Sequence, residues 1–184
     1  KNWGPKNLNV VLAANLQHMT SDKVNVPTAL NGSFEEQQAF FSEREQKFVL
    51  ASAPPEKLAL TIDYGSKLKV GTHLTYFGKI TLLGYGFENT YPPLVALDAD
   101  PNTIVSEQFN YNGKVVTDIY ASYKLAKSTT FYIGADNLFN VHPNLGYVPG
   151  AKLSAYAGEA GGPWDAVQMG TNGIRLFVTA LFSF

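Results

Sequence analysis

The three histidines are the first residues to test for chemistry. His18, His73 and His142 are far apart in the sequence, and they fall at a strand end, within a strand and in a loop. A nucleophilic site needs a histidine between a hydroxyl and an acid, but His73 has no serine on its own strand face. The chain has no cysteine and no Gly-Lys-Ser phosphate loop. We therefore predict no catalytic residues, no metal site and no cofactor, which means that the protein is not an enzyme.

Ionisable residues recur at alternating positions of otherwise apolar segments, where they would share one face of a strand. Solvation by a water-filled interior accounts for such residues, and contacts to another part of the same protein are the functional alternative. The residues that we expect to point inward are Asp63, His73, Asp118, Asp136 and Arg175.

Residues 171–184 show which element carries this pattern. Every second residue from Ile174 to Phe184 is apolar, whereas the other parity is mixed and contains Arg175. A period of two indicates a β-strand with one face in an apolar medium. The segment exceeds the five or six residues usual in globular domains and fits the ~9–11 residues of a tilted membrane-spanning strand.

The same alternation predicts six strands in the whole chain. They cover residues 8–19, 57–64, 68–82, 114–125, 129–138 and 171–184. We expect one set of side chains to face lipid: Leu58, Leu60, Ile62, Leu74, Ile119, Ile133, Val178 and Phe182. Between the strands, Ser33 and Glu36 predict a capped helical turn over residues 33–41, and residues 48–51 could form a short extended segment.

The connections between these strands alternate long, short, long, short, long. Outer-membrane barrels have short periplasmic turns and long extracellular loops, so all five connections fit one orientation. About eight strands are needed to close a barrel. Six strands therefore predict part of a larger barrel, or a sheet that needs partners.

Composition agrees with this all-β, antiparallel, up-and-down transmembrane fold. Aromatic residues make up 13% and charged residues only 16% of the chain, which suits strands that face lipid between aromatic girdles. The formal net charge of −1 gives no indication of a nucleic-acid partner. Alternatives that remain open are a porin-like passive barrel and a soluble β-sandwich binding module.

Several short motifs carry a resemblance to a known family. They are the strand-turn-strand segment 111–140 ending in Asn137-Leu138-Phe139-Asn140, the proline-led strand 55–64, Thr75-Tyr76-Phe77-Gly78, and the terminal Phe184. In this order, the motifs resemble the C-terminal barrel of TonB-dependent outer-membrane receptors. The resemblance covers most strand regions from about residue 54 onward and none of the loops.

The resemblance implies a barrel of about 22 strands, filled by an N-terminal plug, that imports a scarce ligand such as a siderophore, vitamin or glycan across the outer membrane of a Gram-negative bacterium. Residues 1–184 would be its C-terminal segment, without the plug and the TonB box. Implied partners are outer-membrane lipid, the remainder of the receptor, the TonB complex and the barrel-assembly machinery, which would read Phe182 and Phe184. A surface lipoprotein partner is compatible with this family.

Two further expectations concern particular residues. Asp118 and Asp136 lie nine residues on either side of Lys127, so they should stand opposite each other, with Arg175 as the nearest cation for an ion-pair cluster. Surface loops on a rigid scaffold commonly carry binding. The loop aromatics Tyr85, Tyr91, Tyr147 and Trp164 could therefore bind ligand, although packing between loops also explains them.

Overall fold

The computed structural model describes residues 7–20, 25–52, 54–84, 93–144, 148–151, 169–170 and 172–183. Six long strands dominate it: β1 (Leu8–Leu16), β2 (Glu56–Gly65), β3 (Leu68–Phe77), β8 (Lys114–Ala126), β9 (Thr129–Asp136) and β10 (Arg175–Phe182). They form one antiparallel sheet in the order β1-β2-β3-β8-β9-β10, so each pairs with the next long strand of the chain. The predicted all-β, antiparallel, up-and-down arrangement is confirmed.

The register divides the sheet into a polar and an apolar face. Thr61 stands opposite His73, and His73 opposite Asp118. Residues directly opposite each other in an antiparallel sheet point to the same side. Applied to all six strands, this rule puts the five ionisable residues on one face and the eight apolar ones on the other. That division is confirmed, whereas contact of the apolar face with lipid stays a prediction.

Several predicted strand ends are wrong for identifiable reasons. We expected β1 to reach residue 19, but it ends at Leu16. Gln17 N–H still donates to the carbonyl of Pro55 at 2.9 Å, yet Pro54 and Pro55 have no N–H with which to continue the ladder. β9 ends at Asp136 because Asn137 adopts a left-handed conformation with φ 50°. β10 covers Arg175–Phe182, and the described residues 172–174 and 183 of the predicted strand lie outside it.

The predicted strand 68–82 is two strands in different sheets. β3 ends at Phe77, and Gly78 N–H bonds to the carbonyl of Glu56 at 2.7 Å. β4 (Ile80–Leu83) then pairs with β7 (Gln108–Tyr111), while β5 (Leu94–Ala96) pairs with β6 (Ile104–Ser106). The long stretch 83–113, which we expected to be a connection, therefore contains regular structure.

Helices occupy the first long connection. A short 3₁₀-helix (Thr28–Leu30) precedes α1 (Phe34–Phe40) and α2 (Glu43–Ala51). The predicted capped turn is confirmed by reciprocal 3.1 Å bonds between Ser33 and Glu36. The extended segment predicted at residues 48–51 is wrong, because these residues end α2. Ser42 and Glu45 form a second capping box at the N-terminus of α2, a sequence signal that we did not use.

The three long connections share a small hydrophobic core. It consists of Ala51 from α2, Ile80 and Leu82 from β4, and Phe109 and Tyr111 from β7, with Val148 packed against it. We call α2, β4–β7 and residues 148–151 the loop cluster. Asp98 N–H also donates to the carbonyl of Gly150 at 2.7 Å. The loop cluster is therefore a packed body at one end of the sheet.

Within the described residues, no helix combines the length and the apolar character that crossing a membrane requires.

Candidate functional site: the polar face of the sheet

Asp63 is the centre of the first group of side chains on the polar face. Its side chain is buried, with the residue only 6% exposed. The carboxylate accepts hydrogen bonds from the hydroxyl of Tyr120 and from Asn9 Nδ2 at 3.3 Å, and it forms an ion pair with Lys69 Nζ at 3.3 Å. These partners come from three strands: Asn9 lies on β1, Lys69 on β3 and Tyr120 on β8. A buried carboxylate is stable only when its oxygens are satisfied in this way.

Gly71 makes the contact between Tyr120 and Asp63 geometrically possible. Tyr120 stands opposite Gly71, and Gly71 stands opposite Asp63. A Cβ atom on Gly71 would lie 2.6 Å from the Asp63 carboxylate and would also meet the Tyr120 ring. The phenol therefore reaches across β3 because that strand has no side chain at this position.

The next pair of strands repeats the same arrangement. Phe177 on β10 stands opposite Gly134 on β9, and a Cβ on Gly134 would lie 2.5 Å from the Phe177 ring. Along this row of paired residues across the sheet, an aromatic ring therefore covers a glycine of the preceding strand at two places. Aromatic cover of strand glycines is one device that fixes the register of a sheet.

His73 lies between two hydroxyl groups on the same face. Its Nδ1 is 2.8 Å from Thr61 Oγ1 and its Nε2 is 3.0 Å from Thr75 Oγ1. Asp118 stands opposite His73, but its carboxylate accepts the backbone N–H of Asn137 at 2.7 Å. Both ring nitrogens are thus occupied by hydroxyls, and the nearby acid is engaged elsewhere. This arrangement satisfies polar groups and does not link a hydroxyl to an acid through the imidazole.

The predicted contact between Arg175 and Asp136 is confirmed. The two residues stand directly opposite each other on β10 and β9, with Nε to Oδ2 at 2.7 Å and a terminal nitrogen to Oδ2 at 2.5 Å. The predicted register of Asp118 and Asp136 also holds, since their neighbours Ile119 and Ala135 are paired. Arg175 forms no ion pair with Asp118, so the expected group of three residues is reduced to the Arg175–Asp136 pair.

The Asn137 side chain forms three hydrogen bonds that our sequence analysis did not predict. Its side chain accepts from Val141 N–H at 2.8 Å and donates to the carbonyls of Val141 at 2.8 Å and Asn172 at 3.3 Å. Asn140, with φ 53°, accepts from Ile174 N–H at 3.0 Å. The two asparagines of the Asn137-Leu138-Phe139-Asn140 motif therefore join the end of β9 to the start of β10. The sequence signal was present, because asparagine tolerates left-handed conformations better than most residues.

The remaining predicted site residues are not tested by these contacts. Tyr85, Tyr91, Tyr147, Trp164 and Phe184 lie outside the described residues. Phe182 ends β10 on the apolar face and is 61% exposed. Among the described residues, no group of three or more His, Asp or Glu side chains is placed to hold a metal ion.

Comparisons with known proteins give matches only among solved structures. No protein-family model matches the chain, and neither does any curated protein. The chain is similar to FpvA of Pseudomonas aeruginosa, with 18% identity over 70% of this chain and 14% of that one and a TM-score of 0.42. It is also similar to the ferric enterobactin receptor PfeA of Pseudomonas aeruginosa, with 19% identity over 70% and 16% of the two chains and a TM-score of 0.42. The chain thus spans about one sixth or less of the length of these receptors.

Proposed function

We infer that this chain is the C-terminal part of the barrel of a TonB-dependent outer-membrane receptor that takes up a scarce ligand. One observation carries the proposal: a single up-and-down sheet has an apolar and a polar face, and its three long connections begin and end at the same end of the sheet. An outer-membrane barrel needs this combination of lipid-facing and water-facing sides.

The apolar face supports a lipid environment. Large side chains on it are widely exposed, with Leu12 at 74% and both Leu176 and Val178 at 75%. Among the described residues, strands β4–β7 have no extensive contact with the six long strands, so neither small sheet packs against this face. Soluble proteins rarely expose so continuous an apolar surface, which argues against the β-sandwich alternative.

The edges of the sheet support a larger barrel. β1 and β10 each pair on one side only within the described residues, and an exposed strand edge carries unpaired N–H and C=O groups. We propose that further barrel strands of the same receptor pair with both edges. A plug would then contact the polar face that contains Asp63, His73, Asp118, Asp136 and Arg175.

Transport fits the polar face better than catalysis does. The two nitrogens of His73 contact threonine hydroxyls, and Asp136 is paired with Arg175. In the proposal, the inner-membrane TonB complex supplies the energy and the loops bind the ligand. A siderophore, a vitamin and a glycan are the ligand classes that the family resemblance suggests.

Site-directed labelling tests the orientation of the sheet. The chain has no cysteine, so Val178→Cys and Thr179→Cys each introduce one reactive thiol, on adjacent residues of one strand that face opposite sides. We expect an environment-sensitive fluorophore at residue 178 to be quenched by bilayer-embedded quenchers, and one at residue 179 to be quenched from water. The reverse pattern, or recovery of the protein without detergent, would reject the barrel.

A second measurement separates a receptor from a passive porin. Uptake by an energy-coupled receptor should stop when the proton-motive force is dissipated, while binding of ligand at the cell surface continues. Uptake that persists would support a passive barrel and contradict the proposed coupling.

A further inference from the structure

A cleft between the sheet and the loop cluster has the features of a binding site. It lies where the end of β1, helix α2 and the start of β4 meet, and its volume is about 220 Å³. Ala51 and Ile80 line it and also belong to the buried core of the loop cluster. The wall is therefore anchored to packed side chains.

Hydrogen bonds fix another wall of the cleft. Gln17, which also lines it, donates its backbone N–H to the carbonyl of Pro55 at 2.9 Å and its Nε2 to the carbonyl of Pro54 at 3.2 Å. Pro54 is buried, and both prolines restrict the backbone. A wall held in this way is largely formed before a ligand arrives, as in most small-molecule sites.

The ionisable side chains that line the cleft are all basic. Among the described residues that line it are Lys47, Lys79 and His18, and none of the described lining residues is Asp or Glu. Neither lysine has an ion-pair partner within the described residues. Glu45, the carboxylate nearest to Lys47 in sequence, accepts the backbone N–H of Ser42 at 2.8 Å and is not among the lining residues. Glu56, next to the lining residue Pro55, is not among them either. Two ammonium groups in one cleft repel each other, and an anion between them would turn that repulsion into attraction.

We propose that this cleft binds the carboxylate or phosphate group of a small water-soluble ligand through Lys47 and Lys79, with His18 as an additional hydrogen-bonding group. The cleft volume of about 220 Å³ is small for a ligand site. Pockets for drug-sized ligands begin at about 300 Å³. The cleft therefore fits a small anion, or the charged arm of a larger molecule that extends through the open side.

This inference deepens the proposed receptor function and rests on it for placing the cleft outside the cell. The experiment uses the full-length encoded protein in detergent at low ionic strength, with citrate and inorganic phosphate as separate calorimetric probes. We expect at least one probe to bind. Lys47→Gln/Lys79→Gln should weaken that binding at least tenfold, whereas Lys47→Arg/Lys79→Arg should retain it. Added salt should weaken it as well.

The matched control is Lys124→Gln/Lys127→Gln, which removes two exposed charges beside the short turn between β8 and β9. Unchanged affinity there supports the cleft. Equal loss in both double variants, or no effect of Lys47→Gln/Lys79→Gln, overturns the proposal. A third outcome is that neither citrate nor phosphate binds, and that lipopolysaccharide co-purifies with the unchanged protein but not with Lys47→Gln/Lys79→Gln. That outcome overturns the assignment to a soluble ligand. If citrate or phosphate binds to the cleft but the protein fails the labelling test, the anion site stands and the receptor function is rejected.

Discussion

Tyr120 donates its hydroxyl hydrogen to the carboxylate of Asp63 across a strand that carries only glycine at that point. Three strands are joined by this contact, because Asp63 lies on β2, Gly71 on β3 and Tyr120 on β8. It connects residues that are 57 positions apart in the sequence. The relationship therefore fixes the order of the strands and their register at the same time.

Removal of the Tyr120 hydroxyl should destabilise the sheet. Tyr120→Phe keeps the ring over Gly71 but leaves the buried Asp63 carboxylate with one partner fewer. An unsatisfied buried group costs about 1–3 kcal/mol, and we expect the free energy of unfolding in urea, measured in lipid vesicles, to fall by this amount. Tyr132→Phe is the control, because the Tyr132 hydroxyl has no hydrogen bond among the described residues. Equal loss in both variants would contradict the role of the Asp63 contact.

Substitution of Asn137 separates a backbone effect from a side-chain effect. Both Asn137→Ala and Asn137→Gly remove the bonds to Val141 and Asn172, but glycine adopts φ 50° without strain. Alanine in the left-handed region costs about 1–2 kcal/mol more. We expect the free energy of unfolding to be lower for the alanine variant by that difference. Identical stabilities would show that the conformation of Asn137 carries no strain.

The ion pair between Arg175 and Asp136 should contribute little to stability. The Arg175 side chain is 75% exposed, so solvent screens the interaction strongly. A double-mutant cycle with Asp136→Asn and Arg175→Gln should give a coupling free energy of about 0.2–1 kcal/mol at low salt. The coupling should become undetectable at high salt. A coupling that is large and independent of salt would indicate that the pair is buried against another part of the receptor.

The alternation of residues was sufficient to predict the sheet and its two faces. A period of two assigns each side chain to a face without knowledge of its partners, and the short turn around Lys127 fixed the register of β8 and β9. The alternation could not reveal the contact of Tyr120 with Asp63, because that contact depends on the alignment of β3 with β8, which are joined by a long connection. The break after Phe77 was missed because the alternation continues into β4, although its hydrogen bonds go to β7.

The loop cluster should open without unfolding the sheet. Phe109 is 2% exposed in its small core, and truncation of a buried phenylalanine costs about 3–5 kcal/mol. Because this core is contributed by α2, β4 and β7 and not by the long strands, we expect Phe109→Ala to accelerate amide hydrogen exchange in α2 and β4 but not in β8 and β9. Phe48→Ala is the control, since Phe48 is 41% exposed on α2, and it should change exchange little. Faster exchange in β8 and β9 of the Phe109 variant would mean that the loop cluster and the sheet unfold as one cooperative unit.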